Sequence, residues 1–316
     1  DEPCLNSSHN VLKGKDSLGS LMVPDERTPA MRRTLLVVAA LSAATPAIAA
    51  PAPVATPTSP WQASSEGGVC RVQRSFDVGG KPHLLILEQN APGPAVGIAL
   101  AGPSLAGLNA DSPLRVSFAQ SHAGFDKRAQ IEPNPQYGQA AILQGVWLDQ
   151  SKPDFEAGRG RIEAATAQGV EGITVTQGKG GVTFATGPLT EAATALNDCT
   201  AQIMRSWGFE PAQQYGLQRA AAPVDSDRFM KQMRLAYTRP ALRTLQQGTI
   251  DLVVFTDAAG KATDCRMLVA TGYADLDKAM CATAMKERFS PALASDGQTT
   301  PSYWRLRTIL RVAFSG

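Results

Sequence analysis

From Tyr303 to Phe314 the side chains alternate in the manner of a β-strand. Trp304, Leu306, Thr308, Leu310, Val312 and Phe314 share one parity, and Tyr303, Arg305, Arg307, Ile309 and Arg311 share the other. A strand sends successive side chains to opposite faces, so one face is expected to pack and the other to be basic and wet. The residues before it supply a packing partner. Ile250, Leu252 and Val254 alternate in TIDLVVFTD, and Cys265, Met267 and Val269 in ATDCRMLVATG. Between them Asp257-Ala-Ala-Gly260 makes a hairpin turn in which Gly260 can take positive φ. Leu276, Met280 and Ala284 recur at helical spacing behind Asp275, a candidate N-cap, so a helix can lay its apolar stripe on the inner sheet face. An approach helix is expected in RLAYTRPALRTLQQG, from Arg234. The fold class expected is therefore α+β: a two-layer C-terminal unit (residues 225–316) of three antiparallel strands and two helices, preceded by a mainly β domain closed by one helix.

Tyr237, Ala241, Gly248, the run Ile250, Leu252 and Val254, then Gly260, Gly272, Leu276-Asp277 and Phe289-Ser290-Pro291-Ala292 follow one another in an order that resembles the C-terminal domain of the TonB family. That module grips outer-membrane transporters from the periplasm. One position departs: the Pro that follows Tyr in the family is Thr238 here, although Pro240 lies close by. The resemblance covers less than a third of the chain. It implies capture of a short extended peptide, such as the box of an outer-membrane transporter, by strand addition. The peptide-binding candidates are Tyr303, Arg305, Arg307, Ile309 and Arg311, with Arg239 and Arg243 beside them.

Upstream, Met31-Arg32-Arg33 is followed by the apolar run Thr34 to Ala44 and by Ala47-Ile48-Ala49, the three parts of a secretory signal peptide. The signal peptide is taken as Met31 to Ala49, and residues 1–30 as an upstream extension. A retained inner-membrane anchor is the competing reading, but the run falls short of the ~20 apolar residues a spanning helix needs. Residues 50–60, rich in Pro and Ala, read as a linker. Residues 61–218 read as short strands separated by Gly, Pro and Asn: VCRVQRSF, HLLILEQN, AVGIALAG, PLRVSFAQ, AAILQGVWL, GITVTQ and GVTFATG. That spacing suggests a sandwich or barrel-like sheet. A helix from Leu189 to Trp207 closes it, and residues 219–224 read as a second linker. Family transducers keep an uncleaved anchor containing a His; this segment has no His. The resemblance thus implies the binding head without its energy coupling.

Cys4 lies in the upstream extension, which leaves Cys70, Cys199, Cys265 and Cys281, an even number in a chain addressed to an oxidising compartment. A strand-to-helix bridge Cys265–Cys281 is geometrically reasonable, and Cys70–Cys199 then pair by elimination. A zinc site or reactive thiols are the alternatives, but there is no Cys-x-x-Cys, and the exported part holds only His83 and His122. Neither metal nor cofactor is expected. Gly178-Lys179-Gly180-Gly181 lacks the spacing of a phosphate loop and reads as a turn. No nucleophile elbow or zinc-protease motif is present, so no catalytic residue is proposed. Pairs such as Asp77 with Glu88, or Asp149 with Asp154, have no spacing that demands a cleft.

Residues 50–223 hold twelve basic and fourteen acidic residues, net −2, and residues 224–316 hold thirteen and nine, net +4. So small an excess in an exported chain argues against nucleic acid. The expected partner is an outer-membrane TonB-dependent transporter or another envelope protein, with no membrane span left after cleavage. Two rival readings are an envelope ligand-binding or structural protein in which residues 61–218 carry the function, and a hydrolase built around His83 or His122.

Overall fold

Period-two runs dominate the chain, and strands dominate its structure. The structure, a computed structural model, describes residues 52–118, 124–149, 160–237, 241, 243–244 and 248–310. The segments expected to be an upstream extension (residues 1–30) and a signal peptide (Met31 to Ala49), and Cys4, lie outside the described residues. The described residues belong to one compact unit.

Strands β1 (Val54–Pro57), β2 (Gln62–Glu66), β3 (Val69–Val78), β4 (Lys81–Gln89), β5 (Ala95–Ala101), β6 (Leu114–Phe118), β7 (Phe125–Lys127), β8 (Gln130–Asn134), β9 (Gly138–Trp147), β10 (Ile173–Gln177) and β11 (Gly180–Phe184) form an eleven-stranded mixed sheet. Its order is β7-β6-β10-β11-β1-β3-β4-β5-β9-β8, with β2 beside the first half of β3. The sheet curls into a half-barrel. Helix α1 (Ala164–Gly169) lies between β9 and β10, and α2 (Thr190–Ser206) and α3 (Pro211–Tyr215) follow β11. The buried residues Leu189, Ala192, Ala193 and Leu196 join Val72, Leu85, Ile98, Val175 and Phe184 in one core. A disulfide, Cys70–Cys199, ties β3 to α2.

This architecture overturns the α+β expectation. The protein is mainly β, and a large curled sheet, not a small two-layer C-terminal unit, is its principal body. The reason lies in the stretch read as a linker. Val54 and Ala55 pair in parallel with Thr183 and Phe184, while Thr56 and Pro57 pair antiparallel with Asp77 and Phe76, so β1 joins two groups of strands into one sheet. Pro57 sits at the strand's end, where a missing N–H costs least.

The C-terminal residues form β12 (Ala222–Pro223), α4 (Ser226–Leu235), β13 (Gly248–Thr256), β14 (Ala262–Val269), α5 (Ala274–Ala284), β15 (Phe289–Ser290), β16 (Ala292–Leu293), β17 (Thr299–Thr300) and β18 (Ser302–Leu310). The order β14-β13-β18 makes a three-stranded antiparallel sheet whose Ile250, Leu252, Val254 and Leu306 pack on Phe229, Met233, Leu276 and Met280 of the two helices. A disulfide, Cys265–Cys281, joins β14 to α5.

Two helix boundaries differ from the sequence reading. The first helix, α4, begins at Ser226 and ends at Leu235, so Arg234 falls in its last turn and not at its start: Asp225 caps it by accepting from the Arg228 N–H at 2.8 Å, and Phe229 and Met233 are its buried i, i+4 pair. Asp275 does not cap α5. Tyr273 is the N-cap residue, and it is Asp277 that reaches back to the Thr271 hydroxyl at 2.6 Å.

Gly260 has φ of 78°, and an added Cβ would lie 2.1 Å from the Phe289 carbonyl oxygen. Gly260→Ala is therefore expected to lower stability by more than about 1 kcal/mol, read as a shift of the denaturant midpoint at constant m-value. An unchanged midpoint would show that the β13–β14 turn can move away from Phe289. Among the described residues no helix is long and apolar enough to cross a membrane.

Candidate functional site

The three-stranded sheet has two edges that differ in regularity. β18 pairs with β13 without interruption from Ser302↔Thr256 to Leu310↔Gly248. The β13–β14 ladder breaks register twice, between Asp251 and Leu252 and between Phe255 and Thr256. Such irregularities twist an edge and spoil it as a template for a further strand. β14 also exposes Asp264 and Arg266, paired at 3.0 Å. Among the described residues β18 has no strand partner besides β13, so half its main-chain groups face outward along a straight edge.

Both faces of β18 are covered. Trp304 turns toward the helices, with ring centroids 5.2 Å from Phe229 and 5.8 Å from Phe289. The opposite face is neither wet nor free, contrary to the sequence reading, because the half-barrel lies against it. Tyr303 packs 5.2 Å from Trp207 and 5.8 Å from Phe209, both just beyond α2. Burial pushes its phenol well above the usual range, and neighbouring Tyr215 adds to this while Arg305 opposes it. Next along the strand, Arg305 donates from Nε to Asp251 Oδ1 at 2.8 Å and from Nη2 to Asp251 Oδ2 at 2.7 Å. Asp251 has no solvent exposure. Asn90, just after β4 of the half-barrel, completes the group: its amide donates to Asp251 Oδ2 at 2.8 Å and its carbonyl accepts from Arg305.

Arg307 stands directly opposite Asp251 in the ladder, yet is less well served. Its Nη1 is 3.6 Å from the Asp251 oxygen that Arg305 and Asn90 already use, and its buried Nε has no hydrogen-bond partner. Burial lowers its pKa against the pull of Asp251; Arg305 lowers it further and Glu88 opposes. Glu88 is itself paired with Arg71 at 3.3 Å. Charges therefore alternate across the seam, three guanidiniums against two carboxylates.

Of the sequence candidates, Tyr303, Arg305 and Arg307 are brought together on this face. Ile309 lies in the same strand, paired with Thr249. Arg311 and Arg239 lie outside the described residues, and Arg243 is an exposed residue in a short helical stretch. Asp251 and Asn90 were not singled out from sequence. The signal for Asp251 was an acid inside an apolar strand, where only a buried partner makes it tolerable.

The residues considered for other chemistry are placed apart. His83 is fully buried: its Nδ1 lies 2.9 Å from the Lys81 carbonyl, its Nε2 accepts from the Ser104 N–H, and its ring is edge-on to Phe184. His122 lies outside the described residues, as does Asp154. Asp77 receives the Gly80 N–H in a turn, and Gly178-Lys179 forms the tight turn between β10 and β11. The open cleft bounded by Asn109, Arg115, Asp126 and Gln177 is polar, with Arg115 and Asp126 both exposed.

Comparison with known proteins returns no match: no family model, no curated protein and no solved structure is similar to this chain.

Proposed function

We propose that this chain is an exported, periplasmic TonB-like protein that captures an extended peptide by adding it as a fourth strand beside β18. The observation that carries the reading is the edge itself: nine residues paired without interruption on one side and, among the described residues, no strand on the other, in a sheet whose second edge is bulged. An incoming strand gains main-chain hydrogen bonds along such an edge, and its side chains set selectivity. The TonB-like order of residues noted in the sequence supplies the candidate partner, the box of an outer-membrane transporter or a similar envelope peptide. Two disulfides in the fold suit an oxidising compartment, in keeping with export through the Met31 to Ala49 signal. The half-barrel is, in this reading, a rigid mount for the edge, and no catalytic role is assigned.

The test uses the full chain. Along an edge strand adjacent residues alternate in whether their N–H points to the neighbour or outward. Of Thr308→Pro and Ile309→Pro, one removes a bond to β13 and the other blocks only the outer edge. The variant that keeps the wild-type melting temperature is the informative one. Immobilised wild-type protein is expected to recover outer-membrane transporters from an envelope extract, and the edge-blocked variant is expected to lose most of that recovery. Equal recovery by both, or none by the wild type, rejects strand addition.

A further inference from the structure

The two disulfides differ in what surrounds them. Cys70 has no solvent exposure and lies in the half-barrel core, with Cys199 packed against that core from α2. Cys265 and Cys281 are both only half-buried, and the residues beside them are open: Asp264 and Arg266 flank Cys265, and Ala282 follows Cys281. An attacking thiolate must reach one sulfur of a bridge, and the sulfur it displaces must carry charge as it leaves. Attack at Cys199 would leave the Cys70 thiolate in an apolar core, which disfavours it. Both obstacles are smaller at Cys265–Cys281. That bridge is also what holds β14. Ala262 is the strand's only buried residue, and its ladder to β13 shifts register near both ends. The helix on the other side of the bridge needs no such help, since Leu276, Met280 and Ala284 seat α5 in one core with Ile250, Leu252 and Val254 of β13. β13 in turn is paired along its whole length with β18.

From these two asymmetries we infer that Cys265–Cys281 is a modification site: a bridge that a thiol–disulfide oxidoreductase with a dithiol centre opens in the folded protein, and that governs whether β14 stays on the sheet. A donor thiolate attacks one sulfur of the bridge; the S–S bond breaks, and the other sulfur leaves as a thiolate and takes up a proton. The donor's second thiol then displaces the first sulfur, so two electrons pass to the protein and the donor ends as its own disulfide. β14 is freed while α5 and β18 keep their packing on β13, and β13 gains an unpaired edge. Nothing in this step requires a ligand at β18.

The test uses the full chain, with any free thiols blocked beforehand, and reduced thioredoxin as the dithiol donor. Newly released thiols are alkylated and located by peptide mass spectrometry, and backbone amide exchange is followed in parallel. Cys265 and Cys281 are expected to be labelled roughly tenfold faster than Cys70 and Cys199. Amide exchange is expected to rise across β14 and to stay unchanged in α5 and β18. Equal or slower labelling of Cys265 and Cys281 overturns the proposal, as does labelling of neither pair. Selective reduction that leaves exchange in β14 unchanged, or that raises it throughout the chain, overturns it too, because the bridge would then not be what holds that one strand.

Discussion

Arg305→Ala is expected to destabilise the protein by about 3–5 kcal/mol, the cost of leaving a buried charge without its partner. Asp251 has no exposure, and its two strongest charge-assisted bonds come from Arg305. Removing the guanidinium leaves only the Asn90 amide and the distant Arg307. The double change Asp251→Leu with Arg305→Met is expected to recover most of the loss, because an apolar pair of similar volume needs no desolvation of charge. Chemical denaturation of the two variants beside wild type measures both numbers. If Arg305→Ala costs less than about 1 kcal/mol, water already reaches Asp251 and the two sheets are held by their aromatic contacts instead. Those contacts are substantial, since Trp207 and Phe209 meet both Phe255 and Tyr303.

Loss of the Cys70–Cys199 bridge, as Cys70→Ser with Cys199→Ser, is expected to cost about 5 kcal/mol in the chain-entropy treatment, because the bridged residues are 129 positions apart. The same treatment gives about 3 kcal/mol for Cys265–Cys281, 16 apart. The first double variant should therefore melt well below the second. The opposite order would mean that the unfolded chain keeps the ends of the long loop together without the bond.

Much of this was legible residue by residue, and the failures have physical causes. Alternation of apolar and polar residues marked β3, β4, β5 and β18, in which one parity stays buried or half-buried, and apolar runs marked β9, β13 and β14, although β9 shifts its buried parity at Gly145, β13 buries both parities and β14 buries only Ala262. Among the strands it missed are β1, β2 and β8: β2 is exposed along its whole length, β8 carries Pro133, and β1 is hidden among prolines. None of the three shows an alternating apolar face. Once β1 was read as a linker, the two groups of strands it joins could not be seen as one sheet, and the fold class followed the wrong body. At the site, parity placed Tyr303, Arg305 and Arg307 on one face correctly but said nothing about what covers that face. The covering groups, Asn90, Trp207 and Phe209, are roughly one hundred to two hundred positions away in the chain. Local spacing carries no trace of such partners. An acid in the middle of β13 was the local hint, and it pointed to burial with an arginine.

The position of β1 also governs when the fold can close. Val54 emerges early, yet its parallel partner Thr183 lies 129 residues later, and Asp77, which pairs with Thr56, comes between them. Until the chain through β11 is available, β1 can pair with β3 but not with β11, and the strand edges that β11 will close are open to other chains. Pairing across so long a separation is slow, and it exposes those edges for the whole interval. A protein of this topology gains from holdase protection during biogenesis. Its folding yield should depend on chain concentration far more than the stability of the finished molecule suggests.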